Sequence, residues 1–136
     1  MPELPEVETT CRGIAPFVTG KFISDVIVRE HRMRQPIPQQ LPRILTGQSL
    51  HAVTRRAKYL LLQMDRGHLL LHLGMSGSLR IVEKDTPPQL HDHLDIIFGK
   101  TALRLRDPRR FGMVLWMEIP PQHHPLLCRL GPEPLG

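Results

Sequence analysis

Apolar residues at Val7, Cys11, Ile14 and Val18 recur at i, i+4, i+7 and i+11, so they fall on one face of a helix predicted over residues 5–18. Glu3, Glu6 and Glu8 crowd its start, where the helix dipole favours negative charge, and Gly20 ends it. Residues 22–29 read as a strand of mixed alternation, residues 31–38 as a basic, proline-punctuated connection, and residues 39–45 as a short helix stopped at Gly47. Beyond Ser49 the pattern turns to strands. Residues 50–58 read as one strand running on into the apolar Tyr59-Leu60-Leu61-Leu62, and Asp65-Arg66-Gly67 as a hairpin turn that returns the chain along residues 68–73. The Gly74-Met75-Ser76-Gly77 loop breaks that strand, which resumes over residues 78–82. After a proline-containing loop at residues 85–89, residues 93–98 and 101–107 form a hairpin across Gly99-Lys100, where glycine can supply the positive φ of a tight turn. Residues 113–119 are the last clear strand. Many short strands separated by turn signals predict a mainly β fold with helices, a sandwich or barrel with the N-terminal helix laid against it.

Residues 120–136 depart from this pattern. They are rich in Pro and His and read as a linker, so the expected division is a β domain over 1–119 and a connection over 120–136 leading into something longer. A length of 136 residues suits one domain with a real core. The 18 Lys and Arg against 13 Asp and Glu give a net charge of +5, which favours a polyanionic partner such as nucleic acid but also fits an ordinary solvated surface. Cys11 and Cys128 lie far apart without CxxC spacing, so neither a disulfide framework nor a zinc site can be read, and a reducing cytoplasm is the default. With no signal-like segment and no apolar run of membrane length, a soluble protein is expected.

The chemistry concentrates at the start of the chain. Removal of Met1 would leave Pro2 as a free secondary amine beside Glu3, with Glu6 one helical turn further on. An α-amino group has a pKa of about 8, so roughly a tenth is unprotonated at pH 7 and able to attack an electrophilic carbon. A secondary amine joined to an aldehyde or a sugar C1′ gives an iminium ion with no N–H to lose; it stays cationic and acts as an electron sink. Glu3 could protonate the leaving group and return as a base. If Met1 is kept, the Pro2 nitrogen is an amide and has no nucleophilic lone pair. The same Pro-Glu start also simply opens a helix.

Further along, Lys58 sits among Arg55, Arg56 and Tyr59; on one extended strand Arg56 and Lys58 would share a face. A lysine there can assist proton transfer, hold a phosphate, or snorkel from a strand without either role. The run Asp107-Pro108-Arg109-Arg110-Phe111-Gly112 puts two guanidinium groups and an aromatic ring on a tight loop. Arginine recognises phosphate or a base edge, and an apolar side chain beside it can wedge into a duplex where a nucleotide has been extruded. Met75 could supply a second wedge; packing under a loop is the alternative for both Met75 and Phe111. His91, His93 and Asp95, spaced two apart on a strand, raise a metal reading, but no other ligands stand at recognisable spacing, and His91 can instead donate to a phosphate. The non-metal reading is preferred.

Taken together, Met1-Pro2-Glu3-Leu4-Pro5-Glu6-Val7-Glu8-Thr9, Arg55-Arg56-Ala57-Lys58-Tyr59-Leu60-Leu61-Leu62, His72-Leu73-Gly74-Met75-Ser76-Gly77-Ser78-Leu79-Arg80, His91-Asp92-His93, Asp107-Pro108-Arg109-Arg110-Phe111-Gly112 and Leu130-Gly131-Pro132-Glu133-Pro134-Leu135 closely resemble the N-terminal catalytic domain of the bacterial formamidopyrimidine-DNA glycosylases. The resemblance implies an eight-stranded β-sandwich flanked by an N-terminal helix and a short second helix. It implies a bifunctional base excision repair enzyme, a DNA glycosylase and abasic-site lyase that removes 8-oxoguanine and formamidopyrimidines through a Schiff base. In that setting Pro2 is the nucleophile at C1′, Glu3 the general acid, Glu6 a supporting carboxylate, and Lys58 the proton donor in β-elimination and a phosphate contact. Met75, Arg109 and Phe111 fill the space left by the flipped nucleotide, and His91 and Arg109 contact DNA. The implied partner is double-stranded DNA carrying oxidised purines or abasic sites, bound by a monomer in the bacterial cytoplasm at the nucleoid.

Two departures stand against the family pattern. Cys11 occupies a position where relatives usually carry a basic residue. The chain also stops where the helix-two-turn-helix region and the zinc finger should begin, so no cofactor is expected within these residues, one zinc ion is expected in the missing region, and activity is expected to be impaired. Two other readings follow from the same residues: a weak DNA-binding module without catalysis, and an enzyme resembling the tautomerases that uses Pro2 as a general base.

Overall fold

A computed structural model of the chain describes residues 4–33, 35–74 and 76–118. Its elements run α1 (Leu4–Val18), β1 (Asp25–Val28), α2 (Leu41–Leu45), β2 (Leu50–Arg56), β3 (Tyr59–Met64), β4 (His68–His72), β5 (Ser78–Glu83), β6 (Asp92–Phe98), β7 (Thr101–Arg106) and β8 (Met113–Met117). The strands form two antiparallel four-stranded sheets, ordered β1-β6-β7-β5 and β2-β3-β4-β8. The sandwich and its two helices thus agree with the sequence reading.

The core lies where the helical and strand periodicities predict. Val7, Cys11, Ile14 and Val18 are all buried, and α1 packs on β2. Leu60, Leu62, Leu69 and Leu71 from one sheet meet Leu94, Ile96, Leu103 and Leu105 from the other in a single cluster. Leu61, Leu70 and Met117 form a smaller cluster, which is why β3 and β4 read as unbroken apolar runs rather than alternating ones. Cys11 is accommodated as a core residue: its thiol donates to the Val53 carbonyl at 3.6 Å, and burial, with the Glu8 carboxylate, pushes its pKa up.

Four local expectations are corrected. Residues 50–62 are not one strand; the chain reverses at Ala57-Lys58, pairing Arg56 with Tyr59, so Lys58 sits on a two-residue turn and shares no strand face with Arg56. Residues 72–78 do not interrupt one strand either, because β4 and β5 belong to different sheets. His91 precedes β6 instead of alternating with His93 and Asp95, and the register of β6 shifts between Asp92 and Leu94. Strand β1 is also shorter than expected, with Phe22 reduced to an isolated bridge to Ser49.

One charged cluster is built into the sandwich. Arg104, 1% exposed, donates to both carboxylate oxygens of the fully buried Asp95 at 2.8 and 2.9 Å, and to the Thr86 carbonyl at 2.8 Å. Arg29 donates to the same Asp95 at 2.9 Å, and Arg80 to Asp92 at 3.2 Å. Burial raises the Asp95 pKa, but the hydrogen bonds from Arg104 and Arg29 outweigh it and hold the carboxyl below its ordinary value. A depressed carboxylate contributes stability above its unfolded pKa of about 4 and loses it as pH falls through the lower folded value. Removing one partner of a buried pair strands the other charge, so Arg104→Ala is expected to cost about 3–5 kcal/mol in urea unfolding at neutral pH. The gap from wild type should narrow below about pH 4.

Candidate functional site

Lys58 is carried on the β2–β3 turn, half-buried, directly after Ala57, whose φ of 51° is unusual for a residue with a side chain. Arg55 ties this turn to α1. Its Nε donates to Glu8 at 2.7 Å and its Nη1 to the Ala57 carbonyl at 2.9 Å. The Arg55 hydrogen bond holds the Glu8 carboxyl below its ordinary pKa, so the link persists as an ion pair. Glu6 lies exposed on α1, one turn before Thr10, whose hydroxyl donates to the Glu6 carbonyl. Pro2 and Glu3 lie outside the described residues, as does Met75.

A chain of contacts leads from the Lys58 turn to the arginine loop. Tyr59 meets His72 edge-on, with ring centroids 5.0 Å apart, and His72 Nδ1 accepts the Gly74 N–H at 3.0 Å. Two residues on, Ser76 Oγ donates to Asp107 Oδ1 at 2.9 Å and accepts the Arg109 N–H at 3.2 Å.

Asp107 is the centre of this arrangement. Its fully buried carboxylate also accepts the N–H groups of Arg110 at 3.1 Å and Gly112 at 2.9 Å. Its own N–H donates to the His91 carbonyl at 3.1 Å, and its carbonyl accepts from His93 Nε2 at 2.7 Å. The side chains of Arg109, Arg110 and Phe111 are consequently displayed outward from a fixed base. Phe111 is 48% exposed, which removes the alternative of packing under the loop. His91 is half-buried, and its carbonyl takes the Asp107 N–H, so it is held at the base of the loop that carries Arg109 and Phe111. His93 and Asp95 are spent on Asp107 and on Arg104, and among the described residues no group of three or more His, Cys, Asp or Glu could hold a metal.

Glycine is required where the two loops touch. A Cβ on Gly74, which has φ +65°, would lie 2.8 Å from both the Gly112 nitrogen and the Phe111 carbonyl carbon; one on Gly112 would strike the His72 carbonyl. Sequence reasoning noted these glycines only as loop breakers. It also passed over Arg55, Glu8, Ser76 and Asp107 as site-building residues. The available signal was the Asp-Pro pair, since an aspartate before proline favours turn initiation and can accept backbone N–H groups further along.

With this geometry in place, residues 1–114 match the family model described as the formamidopyrimidine-DNA glycosylase N-terminal domain. The chain belongs to the formamidopyrimidine-DNA glycosylase family. A formamidopyrimidine-DNA glycosylase from Thioalkalivibrio sulfidiphilus is 61% identical over 137 residues, covering 100% of this chain and 51% of that protein. One from Methylococcus capsulatus is 60% identical over 136 residues, covering 99% and 50%. The chain thus spans about half the length of the curated relatives it matches. Among solved structures, the complex of wild-type Lactococcus lactis Fpg (MutM) with DNA containing N7-benzyl-Fapy-dG superposes with a TM-score of 0.79 at 35% identity, over 85% of this chain and 44% of that one. The complex of the Lactococcus lactis Fpg with DNA containing an abasic site gives a TM-score of 0.81 at 31% identity, over 94% and 48%.

The hub role of Asp107 is testable. Asp107→Ala leaves the buried Gly112 N–H without an acceptor, an expected loss of about 1–3 kcal/mol. Hydrogen exchange at the Gly112 amide should accelerate well beyond that at Leu61 or Leu70, inside the β2-β3-β4-β8 sheet.

Proposed function

We propose that this chain is the catalytic N-terminal part of a base excision repair enzyme, a bifunctional DNA glycosylase and abasic-site lyase for oxidised purines. The observation that carries this reading is the contact chain from Lys58 through His72 and Ser76 to Asp107, which assembles a cation, an exposed aromatic ring and Arg109 within one continuous framework tied by Arg55 to α1.

In this reading the Pro2 nitrogen, freed of Met1, attacks C1′ of the damaged nucleotide. The C1′–base bond breaks, and its electron pair leaves with the base as Glu3 delivers a proton. The adduct nitrogen loses its proton, the C1′–O4′ bond breaks as O4′ takes one up, and the opened sugar is left as an iminium at C1′; loss of a C2′ proton then feeds electrons into the iminium and expels the 3′ phosphate. Lys58, held on its turn beside the anchored helix, donates a proton in that elimination and contacts a phosphate, while Glu6 supports the N-terminal carboxylate. Arg109 and Phe111, with Met75, fill the gap in the duplex. Arg109 and His91 grip the backbone. A gap-filling group must be exposed and rigidly based, and the Asp107 hub meets that requirement for Arg109 and Phe111.

Residues 1–119 form the catalytic domain in this proposal, and residues 120–136 begin the connection to a helix-two-turn-helix and zinc-finger region. In this reading one zinc ion belongs to that zinc-finger region. The substrate locates the protein at the chromosome in the cytoplasm.

Borohydride reduction in the presence of duplex DNA containing an abasic site tests the nucleophile. The expected result is a covalent adduct mapped to Pro2, on protein whose intact mass confirms removal of Met1. Pro2→Gly should abolish or strongly reduce trapping with the fold unchanged; undiminished trapping would sink the assignment. Arg109→Ala should weaken duplex binding at fixed salt by about 1–3 kcal/mol if it meets a base edge, and less if it meets only phosphate. Salt-sensitive binding without an adduct would instead favour a non-catalytic module.

A further inference from the structure

Three non-glycine residues with positive φ occur among the described residues: Ala57, His91 and Arg110, at 51°, 72° and 58°. Such backbone costs energy and persists only where its surroundings over-determine it, a pattern that concentrates at functional sites. Ala57 precedes Lys58. The other two both line a groove of about 580 Å³ whose remaining charged walls include Arg29, Glu30 and Arg32.

Glu30 organises the basic groups of this groove. Its carboxylate accepts the Arg32 backbone N–H at 3.0 Å, Arg32 Nε at 3.0 Å and Arg32 Nη2 at 2.7 Å, while Arg110 Nη1 lies 3.6 Å from the same oxygen that takes Nη2. These bonds hold the Glu30 pKa down to about 2, so it stays ionised and keeps two guanidinium groups at fixed places. A guanidinium carries five N–H donors, and Arg32 gives two of its own to Glu30. The outer edges of Arg32 and Arg110, 80% and 43% exposed, are splayed around the glutamate instead of closing on one point. That arrangement suits successive phosphates of a strand better than a single small oxyanion. Asp92, buried beside the groove, is answered by Arg80 and Arg104, and Arg29 by Asp95, so the walls keep a positive excess.

We propose that this groove is an additional phosphate-backbone subsite, in which Arg32 and Arg110 take the stretch of the DNA strand adjoining the one gripped by Arg109 and His91. The identity of the polyanion rests on the repair-enzyme reading above; the subsite itself rests on the groove. It is continuous with the arginine loop, since Asp107 bonds to both His91 and Arg110.

The test is binding of the full chain to an undamaged duplex across a salt series. Arg32→Ala should weaken binding to damaged and undamaged DNA alike and lower the slope of log Kobs against log salt by about 0.9, the value for one phosphate contact. Arg32→Lys should retain the slope. Lys84→Ala, which removes an exposed charge outside the groove, should leave it unchanged. An unaltered slope for Arg32→Ala, an equal loss for Lys84→Ala, or no salt-dependent binding by the wild-type chain would each overturn the subsite. Because the readout uses undamaged DNA, a chain that fails to trap an abasic site yet shows the Arg32 effect keeps the groove and loses the catalytic reading. Trapping with an unaltered slope does the reverse.

Discussion

A buried carboxylate accepting main-chain N–H groups is the constraint on which the functional end of this sandwich depends. Asp107 is fully buried, and an ion in that position is tolerable only if its oxygens are saturated with donors. The cheapest donors are the N–H groups of the residues that follow it and the hydroxyl of Ser76. Satisfying the charge therefore dictates the path of residues 107–112, and that path turns Arg109, Arg110 and Phe111 outward. The exposed groups are ordered because the hidden one has to be solvated by protein.

A similar economy governs the other end of the site. Arg55 links the Glu8 carboxylate to the Ala57 carbonyl, and it converts two separate features, a helix start and a hairpin turn, into one unit. Glu30 does the same for Arg32 and Arg110. In each case one ion pair fixes a group whose own chemistry lies elsewhere. Such exposed or half-exposed pairs add little to stability, and their value here is orientation.

Much of the fold was legible because its periods are clean. The spacing of Val7, Cys11, Ile14 and Val18 gave α1 directly, and Gly99 announced the β6–β7 hairpin with a φ of +75°. The Ala57-Lys58 turn was illegible for a physical reason: neither residue is a turn former, and the left-handed backbone at Ala57 is imposed by the strands and by Arg55 on its carbonyl, not by local preference. The register shift near His93 was hidden likewise, since β6 is buried along its whole length and no alternation of buried and exposed positions marks a slipped residue. Resemblance pointed to Lys58, His91, Arg109 and Phe111, but not to Asp107, Ser76 and Arg55, because a residue that works by accepting or donating to main chain looks like any loop polar group.

The chain crosses between sheets from β4 to β5 through residues 74–77 and returns from β7 to β8 through residues 107–112. These opposed crossings run backbone to backbone at Gly74 and Gly112, with no room for a side chain between them. The loops are thus the hinge pins of the sandwich as well as its working edge. A substitution deep in the core that changed the distance between sheets would be felt first at Arg109 and Phe111, far from where it was made.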